Sequence, residues 1–267
     1  MKRLSLGLFG IFAALAVASL SIYRIRPITV QQNTVKEATP EVLGKPSDST
    51  TLSFVKIDYE PNQLTAAVSI PVSAENAIIR SNLEDTQTSV EILTQQSCEL
   101  LVNAAFYTTE NNHGGLFISN YEEIQSFRAN QTYNGIFSIN SLDTPRITPL
   151  VPTDAIRAAI QTGPILIENT REKTIAIAND KYARRMIAAV NGNNEIIFIT
   201  LYNTSSVFMG PLLSDVPSLI TYLNTELNLN IADAINLDGG SASVFTTSGF
   251  SLPEASPIGS YFCISDY

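Results

Sequence analysis

The chain has 267 residues, 45% hydrophobic and 15% charged, enough apolar content for one sizeable domain with a packed core. Its formal charge is −9 and no basic stripe or aromatic-basic platform interrupts it, which argues against a nucleic-acid partner. An acidic surface still admits an anionic substrate, because one local arginine can dominate the field of a site.

At the N-terminus Lys2 and Arg3 precede an apolar run over 4–22, with Ala16-Val17-Ala18 as a small-residue cleavage signal. The run also approaches the length that spans a bilayer. Residues 1–23 therefore read as a signal peptide or a signal anchor, and the expected location is extracytoplasmic: periplasmic, cell-surface or secreted. Residues 24–50 hold Pro27, Pro40 and Pro46 among many polar residues and read as a flexible linker, a membrane tether if the leader stays. The folded domain is expected over 51–267.

Within it, alternating or apolar runs predict strands over 52–57 and 64–70, joined as a hairpin, then over 99–107, 115–119, 135–139, 164–167, 174–178, 186–190 and 196–202. Asn191-Gly192-Asn193-Asn194 predicts a hairpin turn between the last two. Residues 76–81 read as a short helical segment. Thr153 is placed to cap a helix over 154–161, and Ser214 to cap a longer one reaching about Asn228. In the longer helix Val216, Leu219, Ile220, Leu223 and Leu227 share one face. Many strands and few helices point to the α+β class, a mixed, largely antiparallel sheet with a few flanking helices, and not to a doubly wound fold. Cys98 and Cys263 either pair in an oxidising compartment or stay as buried thiols.

The most informative stretch is Ala234-Ile235-Asn236-Leu237-Asp238-Gly239-Gly240-Ser241-Ala242-Ser243. Apolar residues carry a strand into the core, and Asp238 falls where it ends. Gly239 and Gly240 permit φ > 0 and a close approach to the backbone, and successive N–H groups there can form an anion nest. By itself Asp-Gly is also the commonest hairpin signal, in which the carboxylate only braces its own turn.

Three further segments stand in order before it: Asn103-Ala104-Ala105-Phe106-Tyr107, Gly114-Gly115-Leu116-Phe117-Ile118-Ser119 and Gln161-Thr162-Gly163-Pro164-Ile165-Leu166. Arg184-Arg185-Met186-Ile187-Ala188-Ala189-Val190 follows them. Together, over about 98–246, these pieces resemble the phosphodiester glycosidase family, that of the "uncovering enzyme". Ala104 and Ala105 stand where that family has two glycines, Ala189 where it has another, and Ser241-Ala242 where it has Gly-Ser. The first of these suggests a tighter fit or a different substrate.

The resemblance implies hydrolysis of the bond between a sugar's anomeric carbon and a phosphodiester oxygen, in envelope or exopolysaccharide glycans. It implies a carbohydrate or sugar-phosphate partner and no organic cofactor. A metal is not expected, although Asp238 with Asn and Ser oxygens has the chemistry of a hard-cation site. Asp238 is the best acidic candidate, as nucleophile, base or sugar ligand; a phosphate leaving group lessens the need for a second carboxyl as acid.

Side chains alternate along a strand, so Arg184 and Arg185 point to opposite faces. The family register assigns Arg185 to the site, where a planar guanidinium suits phosphate. Asn103, at a strand end, is expected to hold or attack the sugar or to fix a loop. Gln161, His113, Gly239, Gly240, Ser241 and Glu110 complete the expected substrate-binding set. His113 is the sole histidine, which removes multi-His metal sites; it reads as an exposed loop residue or a substrate contact. Glu110 ranks first as a second carboxyl, ahead of Asp143, Glu168, Asp233 and Glu254. The alternative reading is a non-catalytic glycan-binding or exopolysaccharide assembly protein on the same scaffold.

Overall fold

The alternating runs at the start of the domain close the expected hairpin. In the computed structural model, which describes residues 52–60, 62–265 and 267, β1 (Leu52–Tyr59) pairs antiparallel with β2 (Asn62–Ser69). The leader over 1–23 and the linker over 24–50 lie outside the described residues. No helix among the described residues is long and apolar enough to cross a membrane.

Next come β3 (Ala77–Ser81), α1 (Ser89–Gln96), β4 (Leu100–Asn103), β5 (Phe117–Ser119) and β6 (Glu122–Gln125). They are followed by β7 (Gly135–Asn140), β8 (Pro145–Thr148), β9 (Ile156–Thr162), β10 (Ile165–Glu168) and β11 (Arg171–Glu172). The chain then runs through β12 (Arg185–Asn191), β13 (Ile196–Asn203), α2 (Val216–Leu227) and β14 (Ile231–Asn236). It ends on β15 (Phe245–Thr247), β16 (Ser251–Leu252) and β17 (Ser260–Ile264).

The strands form three sheets: seven strands in the order β1-β2-β13-β12-β14-β10-β11, five in the order β16-β15-β4-β17-β3, and five in the order β6-β5-β9-β7-β8. The ladders pair antiparallel throughout. The protein is thus mainly β, with two α-helices among the described residues, roughly compatible with the expected α+β class; the largely antiparallel pairing is as expected, and no parallel pair appears among the described strands.

Period-2 alternation builds two cores on the large sheet. On β12, Met186, Ala188 and Val190 face the interior shared by all three sheets, with Phe117, Phe137, Phe198, Phe245 and Phe262. Ile187 and Ala189 face the other way, against Val216, Leu219, Ile220 and Leu223 of α2. That helix therefore seals the outer face of the large sheet. Truncating Leu223, which is 0% exposed, to Ala would cost about 2–5 kcal/mol. On the far side α1 rests Ile92 on Leu101, Tyr261 and Cys263 of the second sheet. Cys98, just past α1, is disulfide-bonded to Cys263, with Cα atoms 5.2 Å apart.

Several local expectations are corrected. The helix expected over 154–161 is the strand β9, because Ala158 and Ile160 enter the shared core while Ala159 packs on the opposite face. Burial on both faces of a strand between β5 and β7 overrides the helix propensity of Ala and Gln. Residues 77–81 are the edge strand β3, paired with β17, after a single 3-10 turn at Ala74–Asn76. No strand forms over 174–178, and α2 begins from a 3-10 turn at Leu213–Asp215, without a Ser214 side-chain cap. The unexpected α1 has a capping box. Thr88 Oγ1 accepts from the Glu91 N–H at 3.3 Å, and the Glu91 carboxylate accepts from the Thr88 N–H at 2.7 Å.

Candidate active site

The strand β14 is pinned between β12 and β10, and its register carries the chain to a junction between sheets. Leu237 still donates to the Met186 carbonyl of the large sheet at 2.8 Å, but the Asp238 N–H donates to Ala104, beyond β4 of the second sheet, at 3.0 Å. Asn103 spans the same junction. Its Nδ2 donates to the Asp238 carbonyl at 2.7 Å and its Oδ1 accepts from the Val244 N–H at 2.9 Å. Asp238 is therefore delivered by one sheet and fastened to another by a buried amide.

The carboxyl of Asp238 has one described hydrogen bond, from the Gly239 N–H to Oδ1 at 2.9 Å. Burial raises its pKa from the ordinary 3.8 to about 7, against the lowering effect of that single bond. Tyr107 and Tyr133 flank it. Both phenols are pushed up, first by burial and then by the Asp238 charge. Tyr107 donates to the Pro257 carbonyl at 2.7 Å. The Tyr133 ring stacks on Phe106 with centroids 4.7 Å apart. A carboxyl poised near neutrality can accept a proton from water at a bound sugar.

The turn itself differs from an open anion nest. The Gly239 N–H is taken by Asp238, and the Gly240 N–H donates to the Arg184 carbonyl at 2.9 Å. Two glycines are needed for separate reasons. A Cβ on Gly239 would stand 2.5 Å from the Arg184 carbonyl oxygen, and Gly240 has φ +65°. Ser241 is exposed and its hydroxyl bonds Ser256 Oγ at 3.0 Å.

Arg185 does not face this turn. Its Nε donates to Pro211 at 3.0 Å, and its Nη2 bonds Lys181 and forms an ion pair with Asp180 at 3.2 Å. It sits on the α2 side of the large sheet, with Nε and Nη2 engaged. Arg184 is the arginine beneath the turn, 0% exposed. Alternation along the strand predicted that the two diverge, but only the three-sheet arrangement tells which of them reaches Ser243, beyond the turn.

Gln161 bridges loops and has no vacant bonding position. Its Oε1 accepts from Leu116 and Arg128 N–H at 3.0 Å each, and its Nε2 donates to the carbonyls of Arg128 and, at 3.0 Å, Tyr133. It holds the Tyr133 segment instead of reaching a ligand. His113 is not exposed. It is 3% exposed, stacks on Phe117 at 3.7 Å and bonds Ser81 Oγ through Nε2 at 3.0 Å. Burial lowers its pKa to about 4, so it is neutral at physiological pH.

Glu110 is exposed on a turn, bonded to Thr109 at 2.8 Å. Asp143 pairs with Arg157, Glu168 with Lys173, and Asp233 accepts from the Asn169 N–H. Asp238 thus stands without any of these as an adjoining second carboxyl. Among the described residues no group of three or more His, Cys, Asp or Glu side chains gathers to hold a metal. Sequence reasoning missed Tyr133, which lies in an aperiodic loop.

The arrangement of antiparallel sheets is shared with known proteins. The phosphodiester glycosidase family's sequence profile matches residues 96–263, more than half of the chain, and the chain belongs to that family. Its fold is similar to the zebrafish N-acetylglucosamine-1-phosphodiester alpha-N-acetylglucosaminidase catalytic domain, auto-inhibited by its pro-peptide. That likeness has a TM-score of 0.61 at 14% identity, over 85% of this chain and 87% of that one. A hypothetical protein from Synechocystis is similar at TM-score 0.60 and 12% identity, over 80% of this chain and 61% of that one. At these identities the likeness is one of fold. Among curated proteins, none matches the chain in sequence.

Proposed function

We propose that the protein is an exported hydrolase that cleaves a sugar-1-phosphodiester, with Asp238 as its base. The observation that carries this reading is the coincidence of the family match with a single enclosed carboxyl, raised to about 7, at the turn following β14. In the reaction the bond between the anomeric carbon and the phosphate oxygen breaks, and its electron pair leaves with the phosphate monoester. Water supplies the new oxygen at the anomeric carbon, and its proton passes to the Asp238 carboxylate. A phosphate monoester leaves without prior protonation, so one carboxyl suffices where ordinary glycoside hydrolysis uses two. A carboxylate whose pKa lies near 7 is a stronger base at neutral pH than an ordinary one.

Phe106, Tyr107 and Tyr133 form the sugar-facing wall in this reading, and Asn103 and Gln161 hold it in place. Export through residues 1–23, with 24–50 as the linker, is supported by the Cys98–Cys263 disulfide, since such bonds persist in oxidising compartments. Envelope or exopolysaccharide glycans are the proposed substrates for a protein in that location.

The test is incubation of the purified protein with a panel of sugar-1-phosphodiesters in ¹⁸O-labelled water. Free sugar carrying the label, with unlabelled phosphate monoester, is the expected product. Label in the phosphate, or no cleavage of any member, would count against the reading and favour a glycan-binding role.

A further inference from the structure

The turn that carries Asp238 is held from beneath by the neighbour of the arginine expected there. Arg184 Nε donates to Ser243 Oγ at 2.7 Å, and its Nη2 donates to the carbonyls of Ser243 and, at 3.0 Å, Pro253. Ser243 Oγ in turn donates to the Gly240 carbonyl at 2.6 Å. The Arg184 carbonyl accepts the Gly240 N–H at 2.9 Å. Both polar groups of Gly240 are therefore clamped, one by the Arg184 main chain and one through its guanidinium.

A buried charge is costly unless its donors are satisfied and an opposite charge is near. Nη1 has no hydrogen-bond partner, but the Phe208 ring lies 4.8 Å from the guanidinium carbon and meets a face of the cation. Burial lowers the Arg184 pKa to about 10 and the Glu254 charge opposes that, so the group stays protonated at neutral pH. Glu254 is anchored by the Ser89 N–H at the start of α1, at 2.8 Å. The cation is thus built into the scaffold, and its donors are directed at the turn.

We propose that Arg184 is a positioning residue for the reaction: through Ser243 and Gly240 it fixes the turn that holds the Asp238 carboxyl in place. The inference rests on the reading of Asp238 as the base. A lysine would keep the charge but not the planar fork, whose separate Nε and Nη2 reach Ser243 Oγ and the two carbonyls.

Arg184→Lys and Ser243→Ala test the clamp. Arg157→Met is the control, because Arg157 also holds two main-chain carbonyls, Ala77 at 3.0 Å and Ala74 at 2.7 Å, at another place in the fold. Three quantities are measured: the Asp238 carboxyl titration by ¹³C NMR, assigned with Asp238→Asn; thermal unfolding; and kcat and KM on a cleaved diester. In both clamp variants a loosened turn admits water, so the Asp238 midpoint should fall from about 7 toward 3.8, by about one pH unit or more. Turnover should fall about tenfold or more with KM within about threefold, as misplacement of a reacting group predicts. Arg157→Met should lower the unfolding temperature and leave the midpoint in place.

An unmoved midpoint in both clamp variants, or the same movement in Arg157→Met, would overturn the proposal. If Arg184→Lys does not fold, Ser243→Ala decides. If the wild type cleaves no diester, the hydrolase reading fails, and the titration alone still decides whether Arg184 positions the carboxyl.

Discussion

The Asp238 turn and the His113 loop both hold a titratable side chain that burial has displaced, and they come out opposite. Burial moves Asp238 up to about 7 and His113 down to about 4. The same desolvation therefore brings one group into the neutral range and takes the other out of it. Their surroundings differ in the same sense. His113 lies flat on Phe117 and bonds Ser81, as a packed residue does. Asp238 is only partly covered, between two phenols, with one hydrogen bond from its own turn.

The two groups should oppose one another in the pH dependence of stability. The folded pKa of Asp238 lies above 3.8, so the stability linked to its protonated form is complete below pH 3.8 and is lost as pH rises through about 7. Asp238→Asn removes that loss and keeps the acceptor for the Gly239 N–H. Chemical denaturation at pH 8 should find it more stable than wild type by about 2–4 kcal/mol, with the gap closing toward pH 4. A variant less stable than wild type at pH 8 would contradict the enclosed carboxyl.

For His113 the sign is reversed. Its folded pKa lies below 6.5, so its contribution is complete above pH 6.5 and is lost as pH falls through about 4. His113→Phe should flatten the acid limb of the stability curve by about 2–3 kcal/mol. An unchanged acid limb would return His113 to the solvent-exposed role that the sequence suggested.

Smaller effects separate the turn's backbone from its side chains. Gly240→Ala forces a Cβ onto φ +65° and should cost about 1–2 kcal/mol in thermal or chemical unfolding. Ser241→Ala removes an exposed hydroxyl and should change stability by no more than about 0.5 kcal/mol. A larger loss there would mean that the Ser241–Ser256 contact closes the site.

What the sequence made legible were the features that repeat along the chain. The first hairpin, the turn between β12 and β13, the apolar face of α2 and the strand leading to Asp238 all carry local periodicity or turn chemistry. The β9 segment was misread because Ala, Gln and a following Gly-Pro resemble a helix end, and only the neighbouring strands make it extended. Thr88 and Glu91 did carry a capping signature for α1, which was overlooked. The site divides in the same way. Asp238, Asn103 and the two glycines are fixed by the local motif. Ser243 bonds Gly240 within that motif, whereas Arg184 and Tyr133 come to it from distant parts of the chain, which no spacing encodes.

Turnover of wild type and Asp238→Asn on one cleavable sugar-1-phosphodiester, followed from pH 5 to 9, tests the central claim most directly. A base at Asp238 predicts a wild-type rate that rises with pH and levels off above about 7. In Asp238→Asn the rate should fall at least about 100-fold, with circular dichroism unchanged. A wild-type rate that is flat through neutral pH, or an Asp238→Asn protein that keeps near wild-type turnover, would make Asp238 a turn residue and remove it from the chemistry.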